Sequence, residues 1–484
     1  MAAIAVPVGP DEKADLKAAQ VNNGPESVLV DELELESHEV FKKTDDGVDF
    51  RNVSWPFAAV IFLKTIFATG IGCHGVVIHR LTCCIPSAMY SLGALGGALS
   101  VVGWSFMNTY TAMIQGDFKT RHPECHTLAD MGYTVGGVWL KELIGVLYLI
   151  AYVLCSGTGI VGLSVAFNAL SDHAACTVWW AFLSMVIITA AASIRTLRNI
   201  GWLTWVGFLS IFLAVFIVVV GVTTVDRPAA APQEGDFDLG YHVIAYPTFA
   251  EGMTATATIF VSSAGTSAFL PVISEMKNPR DYRKALYICM GLVLCMYLSF
   301  SLVVYRWTGQ WVANPSLGSA GGTIKKVSYG VGLIGLAVSG CVYQHVAAKY
   351  LFVRILRNTR HLQSNTVIHW GTWLGCSIGL GIVAFILAES IAIFNYLLSL
   401  VGSICFAPMA ISVPGILWLF DFSHYRAGTP WQRLQYFFHW FLVVLGLFIT
   451  VGGTYSTVLT IKDAYATGLI GSAFSCADNS NSGH

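Results

Sequence analysis

The chain has 484 residues, of which 55% are hydrophobic and 11% charged, with a formal net charge of −1. A soluble domain carries about 25% charged residues, and so few charges cannot solvate a surface of this size, which excludes a disordered chain, a nucleic-acid binder and most soluble enzymes. A mean hydropathy of +0.64 and 47 glycines point instead to a polytopic membrane protein, in which glycine lets helices approach closely and break.

Residues 1–52 come first. Up to Arg51, twelve Asp and Glu oppose five Lys and Arg. The segment has no apolar h-region and no cleavage pattern, so it is not a signal peptide. It reads as an acidic, disordered cytoplasmic tail. A regulatory or ubiquitin-accepting tail is the sharper alternative.

Residues 53–461 read as an all-α transmembrane domain. Eleven apolar stretches are long enough, at roughly 17–25 residues, to cross a bilayer as helices. They lie at 55–72 continuing to about 92, then 93–115, 137–170, 176–194, 200–224, 250–274, 285–306, 327–352, 367–388, 391–420 and 434–459. With the N-terminus cytoplasmic, 20 Lys and Arg fall inside and 5 outside, as the positive-inside rule asks. Lys325 and Lys326 are the local misfit. An odd number of spans puts the C-terminal tail, 462–484, outside. Cys176 and Cys476 then fall on the same side, where they could pair, whereas Cys155, Cys289, Cys295, Cys341, Cys376 and Cys405 sit in apolar runs as small hydrophobes.

The polar, turn-rich stretch 225–247 divides the chain after five spans; five more follow, then one extra. Two places read as broken helices. In the first span the run from Lys64 through Ala68, Thr69, Gly70 and Gly72 gives way to glycines. In the sixth, Ser262, Ser263, Ala264, Gly265 and Thr266 precede Pro271. Unwound backbone is tolerated at membrane depth only where it is buried or lines a cavity. Its free N–H and C=O groups can then hold a carboxylate and an ammonium, helped by half-helix dipoles. Breaks in corresponding spans of two five-span halves point to a 5+5 inverted repeat with its site at the midplane. Close packing of small residues is the structural alternative. Tyr152 in the third span is added as a substrate-facing candidate.

Five ionisable residues are candidates for coupling or gating: Lys64, Glu251, Glu275, His345 and Glu389. An intramembrane charge needs a partner or water, and Glu275 at the inner end of span six is the expected partner of Lys64. Glu251 and Glu389 at outer helix ends and His345 within span eight could relay a proton; a packed, hydrogen-bonded role is the alternative for each. His126 and Asp130 form an H-x-x-x-D pair without a second catalytic element, and His122, Cys125 and His126 lack a fourth metal ligand. No metal or cofactor is expected, and energy must come from an ion gradient or from the substrate's own.

Three motifs together resemble the amino acid/auxin permease family, specifically its fungal neutral amino acid permeases. They are Lys64-Thr65 with Gly70-Ile71-Gly72 and Ile85-Pro86-Ser87-Ala88; Phe118-Lys119-Thr120-Arg121-His122-Pro123; and Glu275-Met276-Lys277-Asn278-Pro279-Arg280-Asp281-Tyr282-Arg283-Lys284-Ala285. The resemblance covers roughly residues 50–460. It implies eleven spans, a neurotransmitter-symporter-like fold, and secondary transport of amino acids with protons as the usual coupling ion. The expected partners are small neutral amino acids and the lipid bilayer, with no nucleic acid; the expected membrane is the plasma membrane rather than the vacuolar one.

One departure stands out. Such permeases join the G-x-G to the I-P-S-A stretch through about three residues resembling V-L-S, whereas twelve residues, 73–84, separate Gly72 from Ile85 here. The insert brings His74, His79 and Arg80 to membrane depth, where an unpartnered Arg costs at least about 2.5 kcal/mol. It reads as a mis-set exon boundary; a specificity or gating loop is the alternative. The expected function is proton-coupled transport of neutral amino acids by alternating access. A non-transporting amino acid sensor on the same fold, or an inactive mis-spliced product, is the alternative, and a membrane enzyme lacks its acid–base cluster.

Overall fold

The computed structural model describes residues 51–71, 85–195, 197–313, 316–357, 359–362, 364–390, 399–466 and 473–480. The insert 73–84, Gly72 and most of the acidic tail lie outside the described residues. Those described form helices and no strand. Nine segments are long and apolar enough to cross a membrane, and two shorter apolar helices, Trp55–Phe67 and Thr177–Ala192, complete the eleven expected spans.

In chain order the helices are α1 (Trp55–Ile71), α2 (Ile85–Arg121), α3 (Leu128–Ser171), α4 (Thr177–Ala192), α5 (Leu197–Thr224), α6 (Phe249–Ser263), α7 (Phe269–Ser274), α8 (Tyr282–Thr308), α9 (Gly322–Leu356), α10 (Val367–Ser390), α11 (Val413–Asp421) and α12 (Pro430–Ala466). They sort into two packed groups. Helices α1, α2, α6 and α8 pack on one another, and so do α3, α4, α9 and α10. Helix α5 lies between, against α1 and α9, and α12 covers α6 and α11. A 3-10 turn, Gly265–Ala268, separates α6 from α7 within span six. Two π-helical turns, Gly402–Phe406 and Pro408–Ser412, lead into α11. Such turns leave backbone groups off the regular ladder and are frequent at functional sites.

Glycine sets the bend in α2. Gly93 has φ +76°, and a Cβ there would come within 2.7 Å of Ala245 N and 2.8 Å of Val243 O. The two N–H groups that the kink frees are not orphaned: Ala94 N donates to His242 O and Leu95 N to Val243 O, both at 3.0 Å. The 225–247 stretch is thereby pinned onto α2 by main-chain bonds.

The far end of the chain is pinned as well. A disulfide joins Cys176, at the start of α4, to Cys476. Lys326 pairs with Asp172 at 2.7 Å and Lys325 donates to Ser480 O at 2.5 Å. The two lysines that sit poorly with the charge rule therefore meet an aspartate and the C-terminal segment. That segment lies at the same end of the bundle as Cys176 and Lys325, as an odd number of crossings requires.

The kink gives a first prediction. Gly93→Ala places a Cβ against backbone atoms at a left-handed φ. It should lower stability by about 1–3 kcal/mol, read as a lower melting temperature of the purified protein in detergent. An unchanged melting temperature would show that the 243–245 backbone yields freely.

Candidate functional site

The expected break in span six is present and fully buried. Helix α6 ends at Ser263, one 3-10 turn follows, and α7 resumes at Phe269. Ser262, Ser263, Gly265 and Thr266 all belong to this stretch and are inaccessible to solvent. The Ser262 hydroxyl donates back to Thr258 O at 2.8 Å. Asn108 of α2 donates through Nδ2 to Ser263 Oγ at 2.8 Å and to Phe260 O at 3.3 Å. The Tyr152 hydroxyl of α3 stands 2.8 Å from Ser267 Oγ and 3.3 Å from Gly265 O. Thr266 Oγ1 is buried and has no hydrogen-bond partner among the described residues.

Span one differs from the sequence expectation. Ala68, Thr69 and Gly70 are helical, and α1 continues to Ile71. The helix outlasts the small-residue run because Ala, and to a lesser extent Thr, disturb a helix little. Gly72 lies outside the described residues. Two α1 carbonyls nevertheless receive tyrosine hydroxyls: Tyr343 of α9 donates to Thr65 O at 2.5 Å, and Tyr297 of α8 donates to Ile66 O at 2.7 Å. The Tyr297 hydroxyl also lies 3.1 Å from Ser262 O, so one phenol touches both discontinuous spans. Neither tyrosine nor Asn108 was visible as a site residue in the sequence.

Aromatic rings close over this junction. Tyr152 lies 4.5 Å from Tyr148, 6.2 Å from Tyr343 and 5.8 Å from Phe406, centroid to centroid. Phe260 meets Trp104 edge-on at 5.1 Å, and Phe269 stacks on Phe62 at 4.0 Å. Buried backbone, hydroxyls and aromatic faces are the chemistry with which a small zwitterion carrying an apolar side chain can be held.

The residues matched by the model of the transmembrane amino acid transporter protein family run from 51 to 459. The chain belongs to this family. It is 53% identical over 445 residues to a transmembrane transporter of Gibberella moniliformis, 92% of each chain being covered. It is 25% identical over 441 residues to the N amino acid transport system protein of Neurospora crassa, covering 88% of this chain and 89% of that one. Among solved structures, that of a Na+-coupled sialic acid symporter in its substrate-bound outward-open state aligns with a TM-score of 0.52 at 12% identity, over 88% of this chain and 95% of that chain. The last likeness speaks for the fold alone, and it is the neurotransmitter-symporter-like fold expected. The chain is an amino acid transporter with many membrane crossings, not an enzyme.

The charged candidates of this transporter are placed as follows. Lys64 is fully buried and donates to Gly335 O and Ser339 Oγ of α9, both at 2.8 Å. Glu275 is not its partner. Val53 N donates to Glu275 O, which sets Glu275 level with the residues before α1, whereas Lys64 lies nine residues into that helix, roughly 14 Å away at 1.5 Å per residue. Glu275 instead pairs with Lys349 of α9, both buried. Lys277 N returns a bond to Val53 O at 2.8 Å. The chain entering α1, through its main chain, and α9, through Lys349, therefore converge on Glu275 at the end of α7.

His345 is buried one turn above Lys349, with Nδ1 3.3 Å from Ala192 O and its ring against Trp373 at 5.1 Å. A carbonyl partner puts the proton on Nδ1. Glu251 is exposed and closes a capping box: its carboxylate accepts from Thr248 N at 3.0 Å and Thr248 Oγ1 at 2.9 Å. Helix capping accounts for it without a relay. Glu389 is half-buried at the C-terminal end of α10, its carbonyl accepting from Phe474 N at 2.9 Å. Asp130 serves as N3 of the α3 capping box with Thr127, and burial pushes the Cys125 thiol up to about 12. These positions show helix capping and packing in place of catalysis.

The ion pair yields a second prediction. Lys349→Met leaves Glu275 buried beside an apolar side chain and should cost about 3–5 kcal/mol, whereas the double change Glu275→Gln, Lys349→Gln should recover most of that loss. Melting temperatures of the three proteins check it; a single and a double variant of equal stability would show that the pair contributes no coupling.

Proposed function

We propose that this transporter carries neutral, chiefly large aliphatic and aromatic, L-amino acids by proton symport with alternating access. In this reading it sits in the plasma membrane with its N-terminus cytoplasmic. The observation that carries the reading is the buried junction at 262–266. There the chain leaves regular helix after Ser263 beside Tyr152, Tyr297 and Asn108, and Thr266 Oγ1 lacks a partner among the described residues. The substrate carboxylate and ammonium would meet this backbone and that of 68–72. The side chain would lie among Phe260, Tyr148 and Phe406, where an apolar pocket discriminates neighbouring sizes only modestly. The N amino acid transport system protein, to which the chain is similar, is consistent with this reading.

Lys64 supports proton coupling. Its ammonium bridges α1 and α9 through neutral oxygens, and no carboxylate pairs with it among the described residues. Losing a proton there would weaken the tie between the two helix groups and let them part. His345 and Glu389 remain available as accessory relays.

Uptake of labelled amino acid into transport-deficient cells tests the reading. It should rise as external pH falls from about 7 toward 5, across the ordinary histidine range near 6.5. Leucine and phenylalanine should compete with one another, and lysine and glutamate poorly. Gly265→Ala should retain uptake, because its Cβ would stand an ordinary 3.6 Å from Ile66 Cδ1. Gly265→Leu should abolish binding while the protein still reaches the surface. Uptake that ignores pH but requires sodium refutes the coupling, and wild-type affinity in Gly265→Leu refutes the site.

Residues 73–84 are proposed to be foreign to the working transporter. A loop at membrane depth must find partners for its backbone, each unmet group costing several kcal/mol. Replacing 73–84 by Val-Leu-Ser should give uptake where the twelve-residue form gives none. Equal uptake from both forms, with a transcript encoding all twelve residues, would make His74, His79 and Arg80 gating candidates instead.

A further inference from the structure

We infer that residues 473–480 are an outer strap that clasps α3, α4, α9 and α10 into one rigid frame, and that the Cys176–Cys476 disulfide is its redox-sensitive lock. The outer placement rests on the orientation proposed above. Each of the four helices contributes a separate attachment. Helix α3 offers Asn168, whose Nδ2 donates to Asn479 Oδ1 at 2.8 Å, and Ser164, whose Oγ accepts from Asn479 Nδ2 at 3.2 Å. At the start of α4, Cys176 carries the disulfide and Thr177 Oγ1 donates to Ala477 O at 2.7 Å. On α9, Lys325 donates to Ser480 O at 2.5 Å. On α10, Glu389 O accepts from Phe474 N at 2.9 Å.

These attachments share two properties. All are made to the α3, α4, α9, α10 group, and none of those named reaches α1, α2, α6 or α8. The strap also has little apolar surface to hold it by burial, since its one large apolar residue, Phe474, is 47% exposed. Asn168, Ser164, Thr177 and Ser480 are buried, yet a hydrogen bond contributes only about 1 kcal/mol net, so the covalent bond is what keeps the set assembled. That bond is reachable: Cys476 is exposed and Cys176 half-buried. An oxidising outer compartment is where such a bond persists. Holding one helix group rigid lets the other rock as a body against it, and conformational steps of that kind often set turnover. Opening the lock should therefore slow transport while leaving substrate affinity intact, because no strap contact touches the 262–266 junction.

The test uses cells expressing the chain with 73–84 replaced by Val-Leu-Ser, the form expected to transport, treated with tris(2-carboxyethyl)phosphine, which acts from outside. The phosphine gives two electrons to the S–S bond, leaving two thiols, and takes its oxide oxygen from water. Maleimide labelling counts the freed thiols against the Cys176→Ser, Cys476→Ser double variant. The expected result is two freed thiols, an initial uptake rate lower by roughly threefold at an unchanged KM, and recovery on reoxidation. Two freed thiols with undiminished uptake overturn the proposal, and so does the absence of any freed thiol. Should the double variant not reach the surface, the form with both cysteines, folded before the reductant is added, still decides. Thermal unfolding of the purified protein with and without phosphine reads the strap with no transport involved. A melting temperature lower by several degrees supports it even where no amino acid is taken up, which separates its fate from that of the transport reading; an unchanged melting temperature overturns it.

Discussion

Backbone polar groups at membrane depth must be satisfied inside the protein, and the break in span six is where that constraint shapes everything near it. A regular helix satisfies its own carbonyls, but the regular helix stops at Ser263 and a 3-10 turn, Gly265–Ala268, follows. The protein answers with side chains borrowed from other helices: Asn108 from α2, Tyr152 from α3 and Tyr297 from α8. Each brings a donor on a planar side chain that loses little rotamer freedom when buried. This set of donors is thus the cost of leaving the helix, and also the means by which the junction stays polar inside an apolar bundle.

This arrangement couples the junction to the two helix groups. Tyr297 belongs to the group that contains α1 and α6, and Tyr152 and Tyr343 belong to the other. A ligand that takes over hydrogen bonds at 262–266 must compete with hydroxyls from both groups. Their separation is then sensitive to whether the junction is filled, which is the differential contact that a conformational change needs. The end of the bundle where the chain enters α1 repeats the logic with charge: there Glu275 and Lys349 join α7 to α9. The β-bridge between Val53 and Met276 adds the chain entering α1. A charge pair withdrawn from water holds firmly while closed and is strongly penalised if one partner is left alone.

The sequence displayed the elements better than their partners. Most span positions, the break at Gly265 and the Cys176–Cys476 pairing were legible, because each rests on local composition or on counting crossings; the boundary set between 92 and 93 falls instead on a kink inside one helix, Ile85–Arg121. Tyr297, Tyr343 and Lys349 were not. Their partners lie 231, 278 and 74 residues away, and nothing in a span distinguishes a tyrosine that reaches a broken helix from one that packs. For Glu251 the hydrogen-bonded alternative is the one with visible partners. Its position at an outer helix end suggested a relay, yet Thr248, three residues earlier, spells a capping box that local reasoning could have found. The extent of α1 also outran the small-residue signal, since Ala68 and Gly70 mark where a helix is able to break, not where it does.

Lys64 shows why burial and partner choice must be read together. A charged ammonium withdrawn from water is normally balanced by a carboxylate, and the sequence offers Glu275 for that role. The fold denies it, because main-chain bonds to Val53 hold Glu275 about two and a half helical turns below. What Lys64 receives instead is a carbonyl and a hydroxyl, oxygens of the kind that also surround a small cation. Neutral oxygens hold an ammonium less tightly than a carboxylate would. The same weakness makes the α1–α9 contact separable. A carboxylate at position 339 would fasten the two helices by charge; the serine joins them there through a neutral contact.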